Sequence, residues 1–366
     1  MPLSVFLLKR EIEETAVYSH FSLNMISRNN NFDLIRLFAA LQVVIGHTVS
    51  HLELNIPWIK YIKFGALPGV LIFFVISGFL ITASYDRNRN NIKQYLKNRF
   101  LRIFPALWIS TIVLSGVMMF YQIIDKSDLL SKGFLSWFVG QTTLFQFYTP
   151  DLLRSFGVHC PNGSLWTIPV EFSFYILLPL MFVLFKKSYK YIYLFIVCSV
   201  GYNMFVPVVF GSETIFSKLL SISVFTYLYN FLIGAVLFFH WDRLRKYIEG
   251  KFFYWLAIYI IVYVLGCSPA YHIHSVTNLI ANLMLAPVVL SAAYTKPNLG
   301  GLLKGYDISY GVYIYHMVVV NIFVEQGWLG ESIYLLHVFV LSILLGLFSW
   351  IFVERKALML KNKRFF

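Results

Sequence analysis

About ten apolar runs, most of them close to 20 residues long and nearly free of charge, follow one another along this chain. A hydrocarbon core about 30 Å thick takes about 20 residues of α-helix to cross. Backbone polar groups in hydrocarbon must be satisfied within their own segment, so such runs predict helices. They lie at roughly 33–52, 66–85, 104–122, 165–185, 189–209, 220–240, 252–267, 275–294, 307–325 and 332–353. The alternation of an outer-membrane barrel is missing from them. The predicted fold class is therefore all-α: a polytopic integral membrane bundle of about ten transmembrane helices. One more apolar stretch, 134–149, is too short to span and reads as an interfacial or re-entrant piece. Of the whole chain 58% is hydrophobic and 13% charged, far from the balance of a soluble domain.

The 30 Lys and Arg residues sit at the ends of these runs. With the N-terminus placed in the cytoplasm most of them fall on the inner side, and Lys60, Lys63, Lys126, Lys132, Arg154 and Lys218 fall outside. That asymmetry predicts cytoplasmic N- and C-termini. Residues 1–30 read as a cytoplasmic N-terminal extension, with Met25 as an alternative start, 31–356 as the membrane domain and 357–366 as a basic tail. The start MPLSVFLLKREIEE puts its apolar residues before its charges, the reverse of a signal peptide. The net charge of +13 invites a nucleic-acid reading, but the basic residues mark span ends rather than one module, so no nucleic-acid partner is expected and membrane lipid is. Cys160, Cys198 and Cys267 have no metal or redox spacing.

Ionisable groups are costly in hydrocarbon, so those inside the runs are candidates for function. Arg36 opens the first run and His47 follows eleven residues later, back to within roughly 20° of the same helix face and about 16 Å along the axis. Arg36 can also be read as an anchor, and His47 as a packing contact. Glu171, in NGSLWTIPVEFSFYILLP, and His316, in DISYGVYIYHMVVV, fall near the depth of His47. Three proton-active groups from three runs thus share one layer, which suits general acid–base work without proving that they meet. In RNRNNIKQYLKNRFLRIFP, Arg99 and Arg102 share a helix face and can pair with phosphate or anchor the chain, while Pro105 opens the third run. Gly65 and Gly69 have the spacing of close helix packing, and Glu354 lies at the depth of Arg36 as its possible partner. His159, His272 and His274 read as solvated loop residues, and no metal site is expected.

Five features in order resemble the acyltransferase-3 family of integral membrane acyltransferases: Arg36 with His47, GVLIFFVISGFLIT, RFLRIFP, SLWTIPVEFSFY and YGVYIYH. The resemblance spans about 31–356. It implies transfer of an acyl group, often acetyl, from cytoplasmic acyl-CoA (acetyl-CoA) as co-substrate to a hydroxyl of a surface or lipid-linked glycan. O-antigen, capsule and exopolysaccharide are among the implied acceptors, and a bacterial cytoplasmic (inner) membrane is the implied location. By this resemblance His47 is the catalytic base, with an acyl-His47 intermediate left open, and Glu171 and His316 assist it. Arg36, Arg99 and Arg102 meet the donor's phosphates, and Ser77, Ser164 and Trp166 contact substrate. The outer hydrolase-like domain of some members is not expected here. Two other readings stay open: acylation of a small molecule, and proton-coupled transport. Transport is disfavoured by the lack of an inverted repeat.

Overall fold

The computed structural model describes residues 30–56, 64–89, 91–184, 190–210, 220, 222–303 and 305–362. The extension 1–29 with Met25, the last four residues of the basic tail, and Lys60, Lys63 and Lys218 lie outside the described residues.

In chain order the helices are α1 (Phe32–His51), α2 (Gly69–Arg87), α3 (Ile92–Phe120), α4 (Lys132–Thr142), α5 (Thr167–Leu184) and α6 (Tyr191–Phe210). They continue as α7 (Val224–Phe239), α8 (Trp241–Ile248), α9 (Phe252–Val264), α10 (Val276–Ala293), α11 (Ser309–Glu325), α12 (Ile333–Ser349) and α13 (Arg355–Met359). No strand occurs among the described residues. Each of the ten runs falls on a helix, and 134–149 holds the 11-residue α4. Six helices are long and apolar enough to cross a membrane, and a seventh span arises if α7 and α8, bent by 97° at their junction, count as one. The remaining runs give shorter helices, such as the 13 residues of α9 and the 17 of α11. Large apolar side chains stay exposed on the outside, for example Phe120 at 79% and Val264 at 77%, as a lipid-facing surface requires.

At the centre lie α2 and α11, packed against α1, α7 and α12. Small residues let these backbones touch. A Cβ on Gly78 would run into the Phe231 carbonyl of α7, one on Gly234 into the Val75 carbonyl of α2, and one on Gly69 into the Ala39 carbonyl of α1. Gly311 of α11 faces Gly346 of α12 in the same way. Gly65, expected to share this role with Gly69, has open space around it instead.

The stretch before the third run is helix, continuous with that run. The Asn91 side chain accepts the Gln94 N–H at 3.0 Å and starts α3 at Ile92. Pro105 therefore lies inside a 29-residue helix rather than at its first turn, where it removes one i→i−4 hydrogen bond. The result puts Arg99 and Arg102 on the same continuous helix as the third run.

Candidate active site

One end of the bundle is a charged knot. Arg36 lies in the second turn of α1, Arg102 in α3, Asp307 two residues before α11, and Glu354 where α12 ends in a π-turn over Trp350–Glu354. Asp307 Oδ2 is 2.5 Å from Arg102 and 3.2 Å from Arg36, while its Oδ1 accepts from Ser309 at 2.6 Å. Glu354, 2% exposed, takes Arg102 at 3.3 Å and the Ser349 hydroxyl at 3.0 Å. Arg36 binds Asp33 at 3.0 Å, so the expected pairing of Glu354 with Arg36 gives way to Glu354 with Arg102. Both acids lie at the same end of the bundle, and Asp307 is the one that reaches both arginines. Each buried carboxylate is thus paired and hydrogen-bonded, the condition under which buried charge is tolerated.

Arg99, one turn before Arg102, is held differently. It donates to Ser84 at 3.3 Å and stands over the Tyr175 ring at 5.7 Å, and its Nε is buried without a partner. It has no carboxylate partner among the described residues.

From Arg36, Arg99 and Arg102 a narrow cavity of about 90 Å³ runs into the bundle past Ser77, Glu171 and Tyr310 to Tyr313. Glu171 accepts hydrogen bonds from Ser77 at 3.2 Å and from the Tyr175 hydroxyl. Sequence depth put Glu171 in one layer with the two histidines; the structure gives it Ser77 and Tyr175 as partners and turns it toward the cavity.

His47 and His316 do meet. His47 Nδ1 lies 2.9 Å from His316 Nε2, with the rings stacked at 5.1 Å. His316 Nδ1 lies 2.6 Å from the Tyr313 carbonyl. A carbonyl oxygen only accepts, so His316 Nδ1 carries the proton and the Nε2 of the neutral ring is an acceptor. His47 Nδ1–H must then be the donor to it, which leaves the lone pair on His47 Nε2. His316 is fully buried, whereas His47 is only half-buried next to Gly46, whose added Cβ would meet nothing. The more accessible imidazole is thus the one whose Nε2 carries an unshared lone pair.

Tyr313 separates this pair from the cavity. Its ring centroid is 5.8 Å from that of His316, and its hydroxyl contacts Thr167 Oγ1 and the Ser164 carbonyl, each at 2.9 Å. Ser164 is a fastener: it is fully buried, donates to Asn162 at 2.7 Å and does not line the cavity. Trp166 packs on Tyr227 at 5.2 Å, also away from the cavity. Sequence reasoning passed over Asp307, Tyr310 and Tyr313. A signal was present, since Tyr310, Tyr313 and His316 recur every three residues on one helix face, and Asp307 is one of only 17 acids.

The helical bundle thus holds a cavity lined by three arginines and, across Tyr313, a hydrogen-bonded imidazole pair. Residues 29–354 match the acyltransferase-3 family, described as an acyltransferase domain, and the chain belongs to that family. It is similar to nodulation protein 10 of Rhizobium leguminosarum bv. viciae, 32% identical over 91% of this chain and 94% of that protein. It is also similar to the O-acetyl transferase of Shigella phage Sf6, 27% identical over 90% of this chain and 96% of that protein. Peptidoglycan O-acetyltransferase OatA of Listeria monocytogenes is 30% identical over 44% of this chain, which covers 25% of that longer protein. No solved structure matches the chain. The protein is an integral membrane acyltransferase.

Proposed function

We propose that this protein moves an acetyl group from cytoplasmic acetyl-CoA to a hydroxyl of a surface or lipid-linked glycan, within a bacterial cytoplasmic membrane crossed about ten times. Both termini and the arginine end face the cytoplasm in this reading, on the strength of the Lys and Arg asymmetry. The names of the relatives, two of them O-acetyltransferases and one acting on peptidoglycan, support acetyl as the group and a glycan as the acceptor. The observation that carries the chemistry is the His47–His316 hydrogen bond, which leaves one defined basic nitrogen.

The residues divide the work as follows. Arg99, which lines the cavity and has no carboxylate partner among the described residues, offers donors to the donor's phosphate groups. Ser77, Glu171 and Tyr310 line the way for its arm. His47 Nε2 takes the proton of the attacking hydroxyl as the new C–O bond forms at the thioester carbonyl. The C–S bond then breaks, and the His47 imidazolium returns the proton to the departing thiolate. While His47 is charged, its Nδ1–H keeps its bond to His316 Nε2, and His316 acts as a positioning residue. The apolar bundle keeps water from the thioester.

Membrane vesicles given acetyl-CoA labelled in the acetyl group test this. Label passes to glycan with the wild type and not with His47→Ala, while the variant still inserts. Wild-type transfer by His47→Ala removes His47 from the mechanism. Label on a soluble product instead makes the acceptor a small molecule.

A further inference from the structure

Leu34 and Phe38 each lie two residues from Arg36, and so about 160° round α1 from it. They look into a different cavity, of about 640 Å³, closed by Ile72 of α2, Phe252 and Leu256 of α9 and Val289 of α10. We propose that this cavity holds one acyl chain of an anionic phospholipid from the cytoplasmic leaflet, with the lipid's phosphate on Lys296 at its mouth.

The lining selects a hydrocarbon chain. A space of this size is no packing defect in a close-packed bundle, and it lies within the range of ligand sites. The only polar side chains around it are Asn31, Thr295 and Lys296, all at the end where α1 begins. Two of these are already satisfied. Asn31 Nδ2 donates to the Thr295 carbonyl at 3.0 Å, and Asn31 Oδ1 accepts from Gly300 N–H at 2.9 Å. Thr295 Oγ1 donates to the Ser291 carbonyl at 2.6 Å and accepts from Phe252 N–H at 3.3 Å. Nothing along the walls is left to bind water or a sugar, and apolar space without polar partners does not hold water. From Asn31 to Phe38 the cavity follows α1 for about 10 Å, some two-thirds of the roughly 15 Å hydrocarbon depth of one leaflet.

The mouth selects an anion. Lys296 is exposed and makes no hydrogen bond or ion pair among the described residues. The bond from Phe252 N–H to Thr295 brings exposed Lys251 to the same rim. Beside them α8 turns 97° away from α7, and its Trp241 packs on Tyr294 with ring centroids 4.6 Å apart. Trp241, Leu244 and Ile248 form its inward stripe, while Arg243, Arg245 and Lys246 are exposed. That is the pattern of a helix lying in the membrane surface. Across Trp241–Lys251 four cations stand against two acids, and one of those acids, Glu249, is held by Arg245. Such a basic rim draws anionic headgroups, whereas a zwitterionic headgroup brings a cation of its own to compete with Lys296.

Native mass spectrometry of the full-length protein in detergent tests this, with phosphatidylglycerol or phosphatidylcholine of the same chains added. The wild type is expected to retain one phosphatidylglycerol about tenfold more tightly than phosphatidylcholine, and Lys296→Glu to lose that preference. Lys296→Arg is expected to keep it. Ala292→Phe places a ring in the cavity and should weaken retention of both lipids. Thermal melts identify folded variants, and Lys296→Glu, at an exposed position, keeps the test open if Ala292→Phe does not fold. Equal retention of the two lipids by the wild type overturns the proposal. So does wild-type binding of phosphatidylglycerol by folded Lys296→Glu or by folded Ala292→Phe.

Discussion

His316 offers the most direct test of the imidazole pair, because its contribution should grow during the reaction. In the resting state His316 Nε2 accepts a hydrogen bond from neutral His47. Such a bond contributes about 0.5–1.5 kcal/mol, whereas a bond from a charged donor contributes about 1.5–3 kcal/mol. The bond therefore strengthens by about 1–2 kcal/mol as His47 becomes an imidazolium, and its removal should cost about 5–30-fold in kcat. KM for acetyl-CoA should stay put, since His316 does not line the donor cavity. His316→Gln carries an amide oxygen that can accept from His47 Nδ1–H, so it should recover part of what His316→Ala loses. Steady-state transfer of labelled acetyl in detergent gives kcat and KM for all three proteins, and a thermal melt of each reports folding. Two outcomes refute the reasoning: a loss confined to KM, or a well-folded His316→Ala with wild-type kcat.

The two arginines of α3 should separate cleanly. Arg99→Ala is expected to raise KM for acetyl-CoA about tenfold with little change in melting temperature; an unchanged KM makes Arg99 a mere anchor. Arg102→Ala strands the buried Asp307 and Glu354 and should destabilise the protein by about 3–5 kcal/mol, read as a lowered melting temperature or lost expression. Lys361 lies past the last span, and burial, helped by Arg99 and Arg102, holds its ammonium down to about 8. Its charge is present below that pH and lost above it, so KM for acetyl-CoA should climb as pH passes 8, and Lys361→Arg should flatten the climb. Gly78→Ala should destabilise by about 1–3 kcal/mol through its clash with the Phe231 carbonyl, measured in the same melts.

The helices were legible because length and hydropathy are properties of each segment alone. Depth was legible too, since counting along a helix at about 1.5 Å per residue put His47 and His316 in one layer, and they meet. Azimuth was not. Glu171 counts to the same depth, yet the rotation of α5 against α2 turns it to Ser77, with Tyr175 one turn along its own helix. That rotation is set by packing between segments far apart in the chain, which no local pattern encodes. Partner choice was hidden for a similar reason. Asp307 and Glu354 both end at the arginine layer, and only the assembled bundle decides that Asp307 bridges Arg36 and Arg102. The start of α3 was missed because a charged, Asn-rich stretch resembles a loop, although Asn91 caps a helix that runs straight through it.

The charged knot has a consequence for the protein at rest. Arg102 already has two carboxylates, and both carboxylates have hydroxyl partners, before any ligand arrives. An idle copy in a starved cell therefore keeps its shape, with every charge of this knot already paired, ready for the next thioester that appears.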